Sequence, residues 1–243
     1  MNENAGEVMG GIQHVKVSYT NCFLLKCRGG YLLVDTGVPG KYNSFLKKLS
    51  KINVDVREIK YLLITHYHSD HAGFAAELIR DSGAKIIVHK KGVPFLEEGK
   101  WKEKAKKGVF PNLCIKFLVT LHDRLFPHTS EYPPVEIPEG SHILEKDDFD
   151  LLKEIGIDGI ILYTPGHTED SISVLLSDGS AIVGDVAMNF LNICHTRHSP
   201  IYIQDFEEMY GSWKKLIEHG AKTIYPAHGK SFSAEKLTFL EKS

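Results

Sequence analysis

The segment Thr65-His66-Tyr67-His68-Ser69-Asp70-His71 puts three imidazoles and one carboxylate within six residues. Imidazole nitrogens and carboxylate oxygens are ligands for divalent metal ions. The chain has 13 histidines among 243 residues and as many aspartates, so H-x-H-x-D-H arises by chance in roughly one such chain in five hundred. Taken by itself, Asp70 among three histidines also suggests a general base.

The segment must be positioned by its neighbours. Residues 59–64 are an apolar, β-branched run that reads as a buried strand. Residues 72–79 read as a helix ending near Gly83, a suitable residue beyond a helix C-terminus. Upstream, residues 12–18 and 22–27 predict strands, and Tyr31-Leu32-Leu33-Val34 predicts the return strand of a hairpin. Tyr42, Phe45, Leu46 and Leu49 have the spacing of an amphipathic helix over 41–51. Residues 85–89 predict another strand, and strand–helix–strand alternation argues for an α/β arrangement here.

Residues 90–145 break that rhythm. Lys90 to Lys107 holds seven lysines against three glutamates, which reads as a solvated helix face or as an attraction for an anion. Residues 113–126 are more apolar than a surface helix needs, and Pro127, Pro133, Pro134 and Pro138 make an irregular tail. With too few elements for its own core, the segment is expected to be an insertion in a single domain of residues 1–243. It would fill the core, make a homodimer surface, or form a lid or substrate wall.

Strands return from residue 142, with runs at 159–164, 171–176 and 181–184, the last two joined at Asp178-Gly179, a hairpin signal. Asp205 opens a helix whose stripe is Phe206, Met209, Tyr210, Trp213, Leu216 and Ile217. Residues 222–225 are a strand, and a final helix is expected from about Ser233.

One motif recurs. A buried strand ends, a tight turn follows, and the turn carries a histidine or aspartate. This happens at His66–His71, His167, Asp185 and His228, with Asp35 as a fifth case. Each alone is an ordinary turn residue, and Asp35 caps a loop or orients a histidine from behind equally well. Together they put ligand types at one kind of position.

These residues carry a resemblance. Val34-Asp35-Thr36-Gly37, the full H-x-H-x-D-H at 66–71, Thr164-Pro165-Gly166-His167-Thr168, Gly184-Asp185 and Pro226-Ala227-His228-Gly229 occur in the order found in the metallo-β-lactamase superfamily. The resemblance implies an α+β fold, a four-layer αβ/βα sandwich with a binuclear metal site at one edge. It implies that His66, His68 and His167 hold one ion, that Asp70, His71 and His228 hold the other, that Asp185 bridges them, and that Asp35 stands behind. The cofactors would be two divalent ions, Zn²⁺ foremost, with Fe or Mn²⁺ as alternatives. Two ions sharing a hydroxide would attack a carbonyl or phosphoryl centre.

The expected activity is therefore metal-dependent hydrolysis. An aspartate at the bridging position, where β-lactamases of the family commonly carry a thiolate, argues against antibiotic hydrolysis. The ligand set is most similar to glyoxalase II-like thioesterases and lactonases. With only about fifteen residues after His228, no separate helical domain of the glyoxalase II kind is expected, and a glutathione thioester is not the expected substrate. A thioester or lactone with an apolar acyl part is the expected small-molecule substrate, with Phe110, Leu113, Phe117, Leu121 and Phe126 as its wall. Phosphodiester hydrolysis at the same centre is the alternative, and a non-catalytic binding protein a third reading. His195, His198 and Tyr202 follow Asp185, and His195 and Tyr202 are the first candidates for the acid that protonates the leaving group.

Composition narrows the field. Hydrophobic content of 42% and charged content of 25% suit a globular chain. A formal net charge of −2 provides no global field for nucleic acid or an anionic membrane, and no apolar run approaches the ~20 residues of a membrane span. The polar, acidic start and the absence of C-x-x-C among Cys22, Cys27, Cys114 and Cys194 lead to the expectation of a cytoplasmic protein with reduced thiols.

Overall fold

Strands that are apolar at every position must be covered on both faces, and this chain covers them with four layers. The computed structural model describes residues 8–9, 11–100, 110, 112–125, 130–190, 194 and 196–237. The first part runs β1 (Val8–Met9), β2 (Ile12–Val17), β3 (Thr20–Cys27), β4 (Gly30–Val34), α1 (Tyr42–Lys51), β5 (Ile59–Leu63), α2 (Ser69–Ala72), α3 (Ala75–Ser82), β6 (Lys85–His89), α4 (Val93–Glu98), α5 (Leu113–Leu125) and β7 (His142–Leu144). The second runs α6 (Leu151–Glu154), β8 (Gly159–Tyr163), β9 (Ile172–Leu176), β10 (Ser180–Gly184), α7 (Phe206–Glu218), β11 (Thr223–Pro226) and β12 (Phe232–Ser233). Among the described residues, β1 to β7 form one sheet in chain order, and β12-β11-β10-β9-β8 form the other.

The two-residue period of a strand sends alternate side chains to opposite faces. Cys22, Leu24, Leu33, Leu62 and Ile86 pack outward against Phe45, Leu49 and Leu78 of α1 and α3. Their neighbours Phe23, Leu25, Leu32, Leu63 and Ile87 pack inward against Ile161, Ile172, Val174 and Ile182 of the second sheet. On the far side, Leu162, Leu175, Ala181 and Val183 meet Met209, Trp213 and Leu216 of α7. The layers are thus helix, sheet, sheet, helix, the sandwich expected from the sequence. Asp205 caps α7 by accepting from the backbone N–H groups of Glu207 and Glu208.

Strand direction decides where the turns collect. β4, β5 and β6 run parallel. β10 and β11 run parallel, and β8, β9 and β10 alternate, so β8 points the same way as β10. The C-terminal ends of β4 and β5, and of β8, β10 and β11, carry the candidate ligands.

Several elements differ from the sequence reading. The helix expected after the histidine cluster begins inside it: α2 takes in Ser69 to Ala72, and α3 follows after a break. The final helix is one 3₁₀ turn, Ala234–Lys236, and residues 238–243 lie outside the described residues. In the 90–145 segment, β7 pairs with β6 and extends the first sheet. Leu96, Tyr132 and Val135 are buried in the helix-side core. Residues 101–109 and the side chain of Phe126 lie outside the described residues. On α5, Ile115 is buried, while Leu113, Phe117 and Leu121 are 83%, 67% and 43% exposed, so a second apolar stripe of this helix faces outward.

Gly166, in the turn after β8, tests how tightly that turn is held. Its φ is +129°, and an added Cβ would lie 2.3 Å from the Met209 amide nitrogen at the start of α7. Gly166→Ala should cost at least about 2 kcal/mol in denaturant unfolding, from overpacking combined with backbone strain. Gly211, inside α7 with nothing within 4 Å of a built Cβ, is the control. Gly211→Ala should stabilise by about 0.5–1 kcal/mol. Equal effects at the two positions would contradict the packing described.

Candidate metal centre

Five turns bring their side chains to one place. His66 follows β5, and its Nε2 stands 3.0 Å from His68 Nδ1 and 3.2 Å from His167 Nε2. His167 Nε2 is 3.1 Å from His68 Nδ1. Three imidazole nitrogens therefore form a nearly equilateral triangle in a buried space. Three mutual contacts cannot all be N–H···N hydrogen bonds of good geometry. A tetrahedral ion with Zn–N of about 2.0–2.1 Å separates its nitrogens by roughly 3.3 Å, close to what is seen.

A second group lies beside the first. His228 Nε2 is 3.1 Å from Asp70 Oδ2, and His71 Nε2 is 3.8 Å from the same oxygen. Asp185, after β10, reaches both groups. Its Oδ1 is 3.5 Å from His71 Nε2 and 3.4 Å from His228 Nε2, while its Oδ2 is 3.7 Å from His167 Nε2. One carboxylate thus turns one oxygen to each set. His71 Nε2 and Asp185 Oδ1 are buried without a hydrogen bond, a costly arrangement for polar atoms that a cation between them would relieve. The donors are all nitrogen and oxygen, within 4.8 Å of one another in each of three overlapping triads. They fit divalent ions of the borderline to hard kind.

The imidazoles are aimed from behind. Asp35 Oδ2 is 2.8 Å from His71 Nδ1, and Asp35 also accepts from the backbone N–H and hydroxyl of Thr65 at 2.7 and 2.8 Å. His167 Nδ1 meets the Tyr202 carbonyl at 2.8 Å, and His228 Nδ1 meets the Tyr19 carbonyl at 3.3 Å. His66 Nδ1 is 3.1 Å from the Thr65 hydroxyl. Each back contact presents the opposite nitrogen to the centre, the usual way a metal-binding imidazole is oriented. Asp35 holds φ +60° to do this, a conformation uncommon for a non-glycine residue.

The two groups differ electrostatically. Burial, followed by the neighbouring histidines, lowers His66 well below the ordinary histidine value. Burial and His167 bring His68 down to about 3. Burial also lowers His167. Across Asp185 the balance reverses. Burial opposes charge on His228, but Asp185 and Asp70 outweigh it and raise the imidazole to about 10. His71 is likewise raised against burial by Asp185, Asp35 and Asp70. Burial would raise Asp70 and Asp185, but His71 and His228 hold both below the usual carboxylate range.

The structure brings together all seven expected ligands and Asp35. The Tyr202 ring stands 6.3 and 6.2 Å from the His68 and His167 rings. His195 lies outside the described residues. His198 is occupied elsewhere, stacked on Phe232 at 3.9 Å with Nδ1 at 3.1 Å from the Met188 carbonyl. Sequence reasoning missed Tyr19, which is 53% exposed with its ring 5.7 Å from that of His228. It also missed Asp170, a carboxyl 1% exposed that burial pushes up to about 7. Tyr19 sits in a two-residue turn, and the acidic residue three after His167 was the available sign of Asp170.

Comparisons with known proteins agree with this geometry. The chain is 29% identical over 216 residues to the beta-lactamase-like protein 2 homolog of Caenorhabditis elegans, covering 86% of this chain and 56% of that one. It is 24% identical to the Drosophila melanogaster homolog, covering 86% and 58%. This chain thus spans little more than half the length of these relatives. A probable metallo-hydrolase of Bacillus subtilis, YflN, is 22% identical, covering 84% and 73%. In solved structures, the archaeal protein ST1585 from Sulfolobus tokodaii superposes with TM-score 0.63 at 21% identity, over 95% of this chain and 84% of that one. The Rm3 metallo-beta-lactamase gives 0.63 at 19% identity, over 93% and 78%. These two show a shared fold. The family model of the metallo-beta-lactamase superfamily matches residues 15–228, and the chain belongs to that superfamily.

Proposed function

We propose that the protein is a hydrolase that works through two divalent metal ions, Zn²⁺ foremost, on a thioester or lactone with an apolar acyl part. The observation that carries this reading is the Asp185 carboxylate, one oxygen turned to each group of imidazoles. His66, His68 and His167 would hold one ion, and Asp70, His71 and His228 the other. The name of the bacterial relative, a probable metallo-hydrolase, supports the reaction class.

When bound, the ion pair supplies Lewis acidity and a water that is nucleophilic near neutral pH. The chain's own groups do the rest. Asp35 fixes the His71 ring, and the Tyr202 carbonyl fixes His167. Asp70 stays an anion beside His228 and is a ligand rather than a free base. The Tyr202 ring flanks His68 and His167, where its hydroxyl is the candidate to protonate a departing thiolate or alkoxide. His195, from the same segment, is the other candidate.

The 90–145 segment is assigned the substrate wall of a single domain. Asn112, at the start of α5, donates to the Cys194 carbonyl at 2.7 Å, tying that helix to the segment that follows Asp185. The exposed face of Leu113, Phe117 and Leu121 would meet an acyl chain, or a second copy in a homodimer. Among the described residues, no helix is long and apolar enough to cross a membrane. Cys22, Cys27, Cys114 and Cys194 are free, in keeping with a reducing, cytoplasmic setting.

Metal-loaded protein should hydrolyse a thioester or a lactone faster than bis(p-nitrophenyl) phosphate. A preference for the phosphodiester would move the assignment to that class, and no activity on any of the three would favour a binding role. Asp185→Asn should lose at least one ion by elemental analysis and most of the activity. Full occupancy with full activity would rule out the bridge.

The charges of the two groups give a pH prediction. An ion binds imidazole only after its proton has left. In the metal-free chain the neighbouring carboxylates favour a proton on His228 and His71, whereas burial disfavours one on His66, His68 and His167. Affinity at the Asp70–His71–His228 group should therefore rise with pH from 6 toward 10, with proton release. Affinity at the other group should stay flat. Titration calorimetry in buffers of different ionisation enthalpy counts the protons, and equal release at both groups would contradict the assignment.

Two variants separate the remaining roles. Tyr202→Phe should lower kcat and leave KM near its wild-type value. Replacing both Phe117 and Leu121 by Ser, on a face already exposed, should raise KM for long acyl substrates and leave folding intact. The opposite split would reverse the two assignments.

A further inference from the structure

Tyr67 lies between His66 and His68, and each of its polar groups is bound to a different, distant part of the chain. Its backbone N–H donates to Asp170 Oδ2 at 3.0 Å. Its carbonyl accepts from the Tyr132 hydroxyl at 2.8 Å. Its own hydroxyl accepts from Gln204 Nε2 at 3.0 Å. Its ring stacks on Phe95, with centroids 4.1 Å apart and planes at 25°. The residue is 2% exposed, Tyr132 is 5% and Asp170 is 1%.

These partners come from three separate parts of the chain. β5 ends at Leu63, so the amides of residues 66–68 have left the sheet ladder and need partners from elsewhere. Asp170 belongs to the turn that carries His167, Tyr132 to the 90–145 segment, and Gln204 to the stretch before α7. The Gln204 backbone N–H donates to the Gly166 carbonyl at 2.9 Å. The same turn is therefore held from both sides. Space has been left for this arrangement: a Cβ on Gly92 would lie 2.5 Å from Asp170 Oδ2. Gly92 has an ordinary helical φ of −78°, so room for the carboxyl, rather than backbone freedom, accounts for a glycine there.

We infer that Asp170 and Tyr132 are positioning residues that clamp the Tyr67 peptide groups and so set the spacing of His66, His68 and His167 before an ion arrives. The inference rests on the reading of those three histidines as ligands of one ion. It makes the 90–145 segment part of the metal site's frame as well as a wall beside it. Two peptide groups fixed at both ends leave the backbone between the two histidines little freedom, so less order has to be gained when the ion binds.

The test measures the affinity of the purified chain for Zn²⁺ and Co²⁺, by competition with a chromophoric chelator, together with thermal unfolding of the metal-free form. Asp170→Ala should weaken one of the two ions by about 10- to 100-fold, the usual cost of losing a group behind the ligands. The other ion should keep its wild-type affinity, and the Co²⁺ visible spectrum of the weakened site should change. Asp170→Asn keeps an oxygen that can accept from the Tyr67 amide and should restore most of the loss. Tyr132→Phe and Gly92→Ala should weaken the same ion as Asp170→Ala. If Asp170→Ala fails to fold, the Tyr132 and Gly92 variants decide alone. Wild-type affinity for both ions in folded variants, equal weakening of both, or an Asn variant as impaired as Ala would overturn the clamp. A wild-type chain that binds neither ion would instead sink the metal reading beneath it.

Discussion

The structure turns on a carboxylate that two sets of imidazoles share. Asp185 is buried, and it faces histidines of opposite character. Toward His66, His68 and His167 burial disfavours positive charge on the rings, so three imidazole nitrogens stand about 3 Å apart with little charge among them. Toward His71 and His228 the carboxylates of Asp35, Asp70 and Asp185 gather positive charge. Without ions, protons on the second pair of histidines offset the buried anions. With ions, the metal charge would take that place. A single buried carboxylate can serve both halves only if its two oxygens diverge to them, and that fixes how closely the two sheets bring their strand ends together.

That convergence requires strained turns. Asp35 adopts φ +60° directly after β4, and Gly184 adopts +53° at the end of β10. A Cβ on Gly184 would lie 2.5 Å from the Thr65 hydroxyl, so the turn after β10 packs against Thr65 with no room for a side chain. Strain of this kind persists where the surroundings over-determine it. Thr65 is such a surrounding: it donates twice to Asp35, approaches His66, and accepts from the Ile172 amide of the opposite sheet. Asn21 does the same for the last ligand turn, its amide donating to the carbonyls of Pro226 and Gly229 on either side of His228.

The parts legible in the sequence were those governed by local rules. Period-two and near-continuous apolar runs located β2 to β6 and β8 to β11 within a residue or two, because burial on both faces leaves no other pattern. The ligand turns were legible because each joins a buried strand to a polar residue. The rest lay beyond local rules. Tyr67 and Asp170 are 103 residues apart and Tyr132 is 65 from Tyr67, and no local period marks a contact of that range. The return of strands from residue 142 was legible, but the bounds of β7 were not, because three residues carry no period. The apolar stripe of α5 was visible, but nothing in its composition says whether such a face turns inward or outward.

The floor and the rim of the site answer different questions. The floor is built of donors whose identity limits the reaction and hardly limits the substrate. The rim comes from segments that supply none of the converging imidazoles and carboxylates. Tyr19 stands over His228 from the turn between β2 and β3, and the Tyr202 ring stands beside His68 and His167 on the other flank. The two rings therefore flank opposite groups of the floor. Their backbone carbonyls orient His228 and His167, so any backbone shift at either tyrosine also turns a histidine. Substrate fit and ligand geometry are in this way mechanically coupled through two carbonyl contacts. A change of specificity at either tyrosine would have to preserve its backbone while altering its ring.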